Sequence, residues 1–246
     1  MRSESDERRD LVDGPVSALI LAGGLGERMG GQPKAFLQAH GETLLERVVG
    51  QARDHAGEVI VGLPEGLIDD GKTLLGDRAI VIRGGETRQH TFRNALNASG
   101  GEIVVIHDVA RPFASSRLWR AVIAGARDHG GAAPAISLPV RDSLATRDGE
   151  WLGPAVDREG IVAIQTPYAF RRTVLDRAMA AADRGSWAEA SVTTLVTKSG
   201  QRVFLVPGDD ANIKVTFSGD WEEAQLRLLD AQGLPTSAAK SRTREL

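Results

Sequence analysis

LAGGLGERMGGQPKAFL, residues 21–37, continues from the apolar run VSALILA at 16–22 and crowds glycines, an arginine and a lysine into one turn. The run before it has the length and apolar content of a buried strand. A glycine turn directly behind such a strand suits the carboxyl end of the first strand of an open parallel sheet, where ligands bind. There Gly23, Gly24 and Gly26 would let the backbone approach a phosphate chain and present its N–H groups. Arg28 and Lys34 would add the formal charge that backbone dipoles lack. The spacing is not GxGxxG and no GxxxxGK[ST] occurs, which argues against a dehydrogenase and a P-loop NTPase. The competing reading is an ordinary βα turn with two solvated cations.

Outward from this turn the chain keeps a strand-and-helix rhythm. Short apolar or β-branched runs recur at 58–63, 79–84, 102–108, 131–140 and 202–208. Helical patterns lie between them at 44–56, 87–99, 116–130 and 170–185. Strands alternating with amphipathic helices predict an α/β fold: a three-layer, Rossmann-like arrangement whose central sheet is mostly parallel and covered on both faces. The stretch 140–165 breaks the rhythm with charge, glycine and a turn-like RDGE, which predicts a two-stranded arm leaving the main sheet. One domain is expected over 15–232, with loose tails at 1–14 and 233–246 where hydrophobicity is low.

Composition narrows the function classes. With 246 residues, 26% charged, and a formal net charge of −3, the chain carries no polyanion-binding balance, so no nucleic-acid partner is expected. It has no cysteine, which removes disulfides, thiolate metal sites and cysteine nucleophiles and suits a reducing cytoplasm. No apolar h-region and no long apolar span is seen, so the expectation is a cytoplasmic protein without a membrane partner.

Further blocks follow in order: GGETRQHTFRNAL (84–96), HDVARPF (107–113), PVRDS (139–143), AVDREG (155–160), QTPYAF (165–170) and NIKVT (212–216). With the opening loop they resemble the polyol-phosphate cytidylyltransferases, above all the 2-C-methyl-D-erythritol 4-phosphate cytidylyltransferase family, over about 16–225. The resemblance implies a nucleotidyltransferase that joins CTP to a polyol phosphate and releases pyrophosphate, serving isoprenoid precursor synthesis. It implies that Arg28 and Lys34 grip the triphosphate and that Lys214 places a cation near the reacting phosphorus. Cytosine selection maps to Ala22, Gly24, Gly84, Gly85 and Thr91, although the Thr91 hydroxyl could equally bond its own helix backbone.

HDVARPF follows the run EIVVI, which puts Asp108 at a strand's carboxyl end, where a carboxylate could hold Mg²⁺ against phosphate oxygens or cap the next turn. His107 suits a packing role better than a ligand role, and Arg111 is a candidate contact for the polyol phosphate. A second metal ligand is open among Asp209, Asp210 and Asn212. By the resemblance, Ser143 and Arg158 on the arm bind the substrate phosphate of a neighbouring subunit, which would make a homodimer the active unit. The plainer alternative pairs Arg158 with Asp157 or Glu159 on a hairpin surface.

Some positions depart from the family pattern. Only Gly30, Gly31 and Gln32 separate Met29 from Pro33, a short form shared with guanylyltransferases of molybdenum cofactor synthesis. SWAEAS (186–191) sets Trp187 and Ala188 where relatives often carry a Thr-Asp pair, and NIKVTFSGDW keeps Asp220 within a changed continuation. The acceptor is therefore less determined than the nucleotide. A ribitol-5-phosphate or other polyol-phosphate enzyme, a guanylyltransferase, and a noncatalytic nucleotide-binding module stand as alternatives.

Overall fold

The computed structural model describes residues 14–24, 31–138, 142–189 and 191–231. Gly26 and Arg28 lie outside these residues, as do the tails expected at 1–14 and 233–246 apart from Gly14. The sheet begins with β1 (Val16–Leu21), which pairs in parallel with β4 (Glu58–Leu63) on one side and β6 (Ile103–Asp108) on the other. Beyond β4 lies β5 (Ile80–Arg83), also parallel. Beyond β6 the pattern changes: β11 (Tyr168–Arg171) runs antiparallel between β6 and β7 (Gly131–Ser137). On β7, β10 (Val162–Ile164) pairs antiparallel and β12 (Phe204–Pro207) pairs parallel. A mostly parallel sheet is thus present, with β10 and β11 as reversed insertions.

Alternation along β1 decides which helices cover which face. Ala18 and Ile20 pack into one apolar layer with α1 (Leu44–Arg53) and α4 (Ser116–His129). Leu19 and Leu21 point into the other, against α3 (Arg88–Asn97), α5 (Arg172–Gly185) and α6 (Val192–Lys198). Successive strand residues face opposite sides, so one β-strand feeds two cores. This is the three-layer fold that the sequence predicts. Two further helices, α2 (Ile68–Leu75) and α7 (Ser218–Ala231), complete the helical set among the described residues.

Local chemistry sets the helix starts that matter for the site. Thr43 heads α1 through a reciprocal capping box with Glu46. Thr87 caps α3, its hydroxyl accepting from the N–H of His90 at 3.1 Å. At its other end, α4 stops at Gly130, whose φ of 85° is the left-handed conformation that glycine adopts without strain.

The expected arm is a separate two-stranded ribbon, β8 (Leu144–Asp148) with β9 (Trp151–Val156). Its turn falls at RDGE, with Gly149 at φ 57°, where the sequence places it. Trp151 and Leu152 at the turn are 80% and 87% exposed. A short antiparallel pair, β2 (Gln38–Ala39) and β3 (Glu42–Thr43), leads from the glycine turn into α1.

Candidate active site

Register brings the motifs to one rim. Leu21 pairs with Asp108 across β1 and β6, so the glycine turn and the carboxylate leave the sheet side by side. On the other side of β1, Leu21 pairs with Gly62, and the next residues of β4 and β5, Leu63 and Arg83, pair with each other. The Gly84–Gly85 turn therefore opens at the same rim. Gly85 has to be glycine here, since a Cβ would fall 2.2 Å from that of His90.

Two clefts share this rim. One, of about 260 Å³, is lined by Leu21, Gly23, Gly24, Gly85, Thr91 and the start of α3. The other, of about 320 Å³, is lined by Asp108, Arg111, Thr166, Tyr168, Ser191 and Lys214 among others. Arg88 lines both. A larger depression of about 450 Å³ lies at the opposite rim, against Gly57–Val59 and Ile80, away from these groups.

Asp108 is the electrostatic centre. Its side chain is 7% exposed, and its two oxygens take different cations: Arg88 at Oδ1 and Lys214 at Oδ2, the latter at 2.9 Å. Burial alone would raise its pKa, but Arg88 and Lys214 together hold the carboxyl well below the ordinary aspartate range. The same buried surroundings work against the charge of Arg88, and the adjoining Asp108 and Tyr168 outweigh them, so the guanidinium is held protonated more firmly than usual. Arg111 feels burial first, which lowers its pKa, with Asp108 acting in the opposite direction.

Backbone bonds hold Lys214 in position. Arg111 Nη1 donates to the carbonyl of Asn212 at 2.6 Å, and the Val215 N–H donates to Ala110 at 2.8 Å. Lys34 Nζ donates to the carbonyls of Val215 and Thr216. Asn212 is fully buried and donates from Nδ2 to the Thr166 carbonyl at 2.8 Å, while the Thr166 hydroxyl accepts from the Asp108 N–H at 3.1 Å. The segments 108–111, 165–168 and 212–216 are thereby laced into one unit.

The sequence-predicted residues separate accordingly. Asp108, Arg111 and Lys214 share one cleft; Gly23, Gly24, Gly85 and Thr91 share the other. Thr91 uses its hydroxyl locally, accepting from Gly85 N–H at 3.0 Å and donating to the Thr87 carbonyl at 3.1 Å. The bond from the Gly85 N–H ties the Gly84–Gly85 turn to α3. Ala22 is buried and donates its N–H to the Gly62 carbonyl at 3.1 Å. His107 is fully buried against Trp119, with Nε2 against the Arg111 carbonyl at 3.0 Å, and burial pushes its pKa down to about 4.

Asp209 faces Arg117 at 3.7 Å and caps Ala211, so it does not join Asp108. Ser143 and Arg158 lie on the arm and line neither cleft of their own chain; Arg158 donates to the Asp142 carbonyl. The blocks GGETRQHTFRNAL and QTPYAF contain Arg88 and Tyr168, and SWAEAS ends on Ser191, but local pattern does not mark these three as site residues. The capping threonine before Arg88 was the available signal, since it fixes a helix start at the rim.

The sequence profile of 2-C-methyl-D-erythritol 4-phosphate cytidylyltransferase matches residues 16–230. The chain belongs to the 2-C-methyl-D-erythritol 4-phosphate cytidylyltransferase family. Among its family relatives, the Deinococcus radiodurans protein of that name is 41% identical over 205 residues, covering 83% of this chain and 86% of the relative. A Thermus thermophilus relative is 40% identical over the same length, covering 83% and 93%. The crystal structure of the Thermus thermophilus enzyme superimposes with a TM-score of 0.75 at 38% identity, over 87% of this chain and 98% of that one. Family membership and the three-layer fold are thus established together.

Proposed function

We propose that this chain transfers a cytidylyl group from CTP to 2-C-methyl-D-erythritol 4-phosphate and releases pyrophosphate, a step of non-mevalonate isoprenoid precursor synthesis. The observation that carries this reading is the meeting of Asp108, Arg88, Arg111 and Lys214 at the rim where the glycine turns open. The cleft beside Gly23, Gly24 and Gly85 takes the nucleotide, and the cleft of Arg111 and Lys214 takes the acceptor phosphate. An acceptor phosphate oxygen attacks the α-phosphorus in line. The new O–P bond forms as the α–β bridge breaks, and pyrophosphate leaves. No covalent enzyme intermediate is needed, so catalysis rests on placement and charge neutralisation.

Each cation has a stated task. Arg28 and Lys34 hold the triphosphate from the glycine turn, and Lys214, paired with Asp108, brings its ammonium to the acceptor phosphate as that group reaches the α-phosphorus. Lys214 is 45% exposed while Asp108 is 7% exposed, so the lysine can follow an entering phosphate and the carboxylate cannot. Arg111 is better held, and its fork suits a phosphate contact.

Mg²⁺ would find one protein carboxylate here, Asp108, whose oxygens it would share with Arg88 and Lys214, and the triphosphate oxygens and water would supply its other ligands, since among the described residues no three His, Cys, Asp or Glu side chains converge. Bound there, Mg²⁺ would neutralise charge on the triphosphate.

The exposed Trp151 and Leu152 at the arm's tip support a homodimer in which Ser143 and Arg158 complete the neighbouring site. No helix among the described residues is long and apolar enough to cross a membrane, and a cytoplasmic location agrees with the absence of cysteine. Pyrophosphate release, measured for each nucleoside triphosphate against a panel of polyol and sugar phosphates, tests the assignment. Turnover with CTP and methylerythritol phosphate is expected; turnover only with GTP and a pterin acceptor, or none at all, would overturn it.

A further inference from the structure

Arg88 divides the two clefts and is part of neither the glycine turn nor the cation set read from the sequence. It is the first residue of α3, directly behind the capping Thr87, so its position is fixed by the helix start. One face of its guanidinium engages the Asp108 oxygen that Lys214 does not use. It also abuts the hydroxyl of Tyr168, a residue only 3% exposed, which lies in turn beside the Val192 N–H at the start of α6. The following residue, Gln89, accepts from the Glu189 N–H at 2.6 Å and so holds the SWAEAS stretch against the same helix start. About a third of the Arg88 side chain, 34%, remains exposed.

Both substrates carry phosphate, and the reaction must bring two anionic groups to one phosphorus. Their repulsion is felt only when both are bound. Each substrate that enters displaces water from the partly exposed guanidinium, so its attraction for the phosphates on its two sides is stronger in the ternary complex than in either binary complex and, acting over shorter distances, outweighs their mutual repulsion. Guanidinium suits the position because its planar fork can keep its grip on a carboxylate and still present N–H groups to either side.

We propose that Arg88 is a positioning residue that couples the two substrates, raising the affinity for each when the other is bound while it holds Asp108 in place. The proposal rests on the cytidylyl-transfer reading and deepens it. Because coupling is reciprocal, it can be read from the nucleotide side alone.

The test uses the full chain with Mg²⁺ and cytidine 5′-(α,β-methylene)triphosphate, which cannot be cleaved, titrated calorimetrically with and without methylerythritol phosphate. In the unaltered chain the acceptor is expected to tighten analogue binding about tenfold, within the usual range of coupling energies. Arg88→Met is expected to abolish that gain while changing binary affinity less than about threefold, and Arg88→Lys to restore part of it. Tyr168→Phe removes the supporting hydroxyl with little change of volume and is expected to diminish the gain in a chain that still folds, with a melting temperature lowered by the loss of that buried acceptor.

Retained coupling in Arg88→Met, or an equal loss of binary and ternary affinity, would overturn the proposal. If Arg88→Met does not fold, undiminished coupling in a folded Tyr168→Phe overturns it instead. An unaltered chain that turns over CTP and methylerythritol phosphate yet shows no coupling overturns this inference alone. Absence of turnover overturns the functional reading and this inference with it.

Discussion

The ammonium of Lys34 donates to the carbonyl oxygen of Val215 at 2.9 Å, across 181 residues of chain. The lysine of the opening loop thus holds the segment that carries the second lysine, Lys214. Lys34→Ala and Lys214→Ala should each lower turnover by about 10²-fold or more, on the scale seen when one transition-state donor is removed. Because one lysine helps to place the other, the double variant should lose less than the product of the two single losses. Steady-state kinetics on the three variants, with circular dichroism to confirm folding, checks this. Near-normal turnover in either single variant would contradict the assigned roles.

The same segment is held from its other side by Asp220, whose Oδ2 accepts from the N–H groups of Thr216 at 2.7 Å and Phe217 at 2.8 Å. Removing the carboxylate leaves those N–H groups without this acceptor at the start of α7. Asp220→Ala should therefore cost about 1 kcal/mol, the usual scale for a lost helix-start acceptor. It should also lower kcat, since Lys214 lies two residues before Thr216. Urea unfolding measures the first effect and kinetics the second; an unchanged kcat would show that Lys214 is placed without Asp220.

What the sequence revealed, and what it hid, divides by the range of the interaction. The strand that leads into the glycine turn, the strand that ends at Asp108 and the hairpin turn at RDGE are local patterns, and each lies where composition and periodicity put it. The residues 84–96 were legible as a block, yet within it Gly84, Gly85 and Thr91 drew attention and Arg88 did not. Arg88 acquires its role from a carboxylate 20 residues away and a tyrosine on a reversed strand, β11, neither of which periodicity can bring together. Thr91 shows the converse. It lines the cleft beside Gly23, Gly24 and Gly85, but its hydroxyl bonds to Gly85 and Thr87. Lys34 and Lys214 each stand out in the sequence as candidate phosphate-binding cations, whereas their link through the Val215 carbonyl depends on the folded path of the backbone.

The arm yields a prediction that separates action within a chain from action between chains. If Arg158 serves the neighbouring subunit, then Arg158→Ala and Lys34→Ala damage different halves of a shared site. Each variant alone should be nearly inactive. Mixed after mild denaturation and refolding, half of the dimers should be heterodimers, each with one intact site, so activity should recover to about a quarter of the unaltered level. Changing the exposed Trp151 and Leu152 to serine should reduce dimer formation in sedimentation experiments. No recovery from mixing, with dimers demonstrably exchanged, would place Arg158 in its own subunit's service.

His107 supplies a prediction about pH and stability. It is fully buried, Nε2 lies against the Arg111 carbonyl, and Nδ1 has no hydrogen-bond partner, an arrangement that suits the neutral ring. Burial lowers its pKa from 6.5 to about 4, with Asp108 acting against that change. The unfolded chain therefore takes up a proton at a higher pH than the folded chain. The stability due to this group is complete above pH 6.5 and falls as the pH drops toward 4, by about 3 kcal/mol in all at about 1.4 kcal/mol per unit. His107→Gln cannot titrate, so its urea midpoint should vary less between pH 7 and about pH 5, even if it starts lower. Carboxylates with depressed pKa values, such as Glu58, add their own loss mainly at lower pH, since the ordinary value is 4.5. Parallel pH profiles for the two proteins over that upper window would show that the imidazole is not buried neutral.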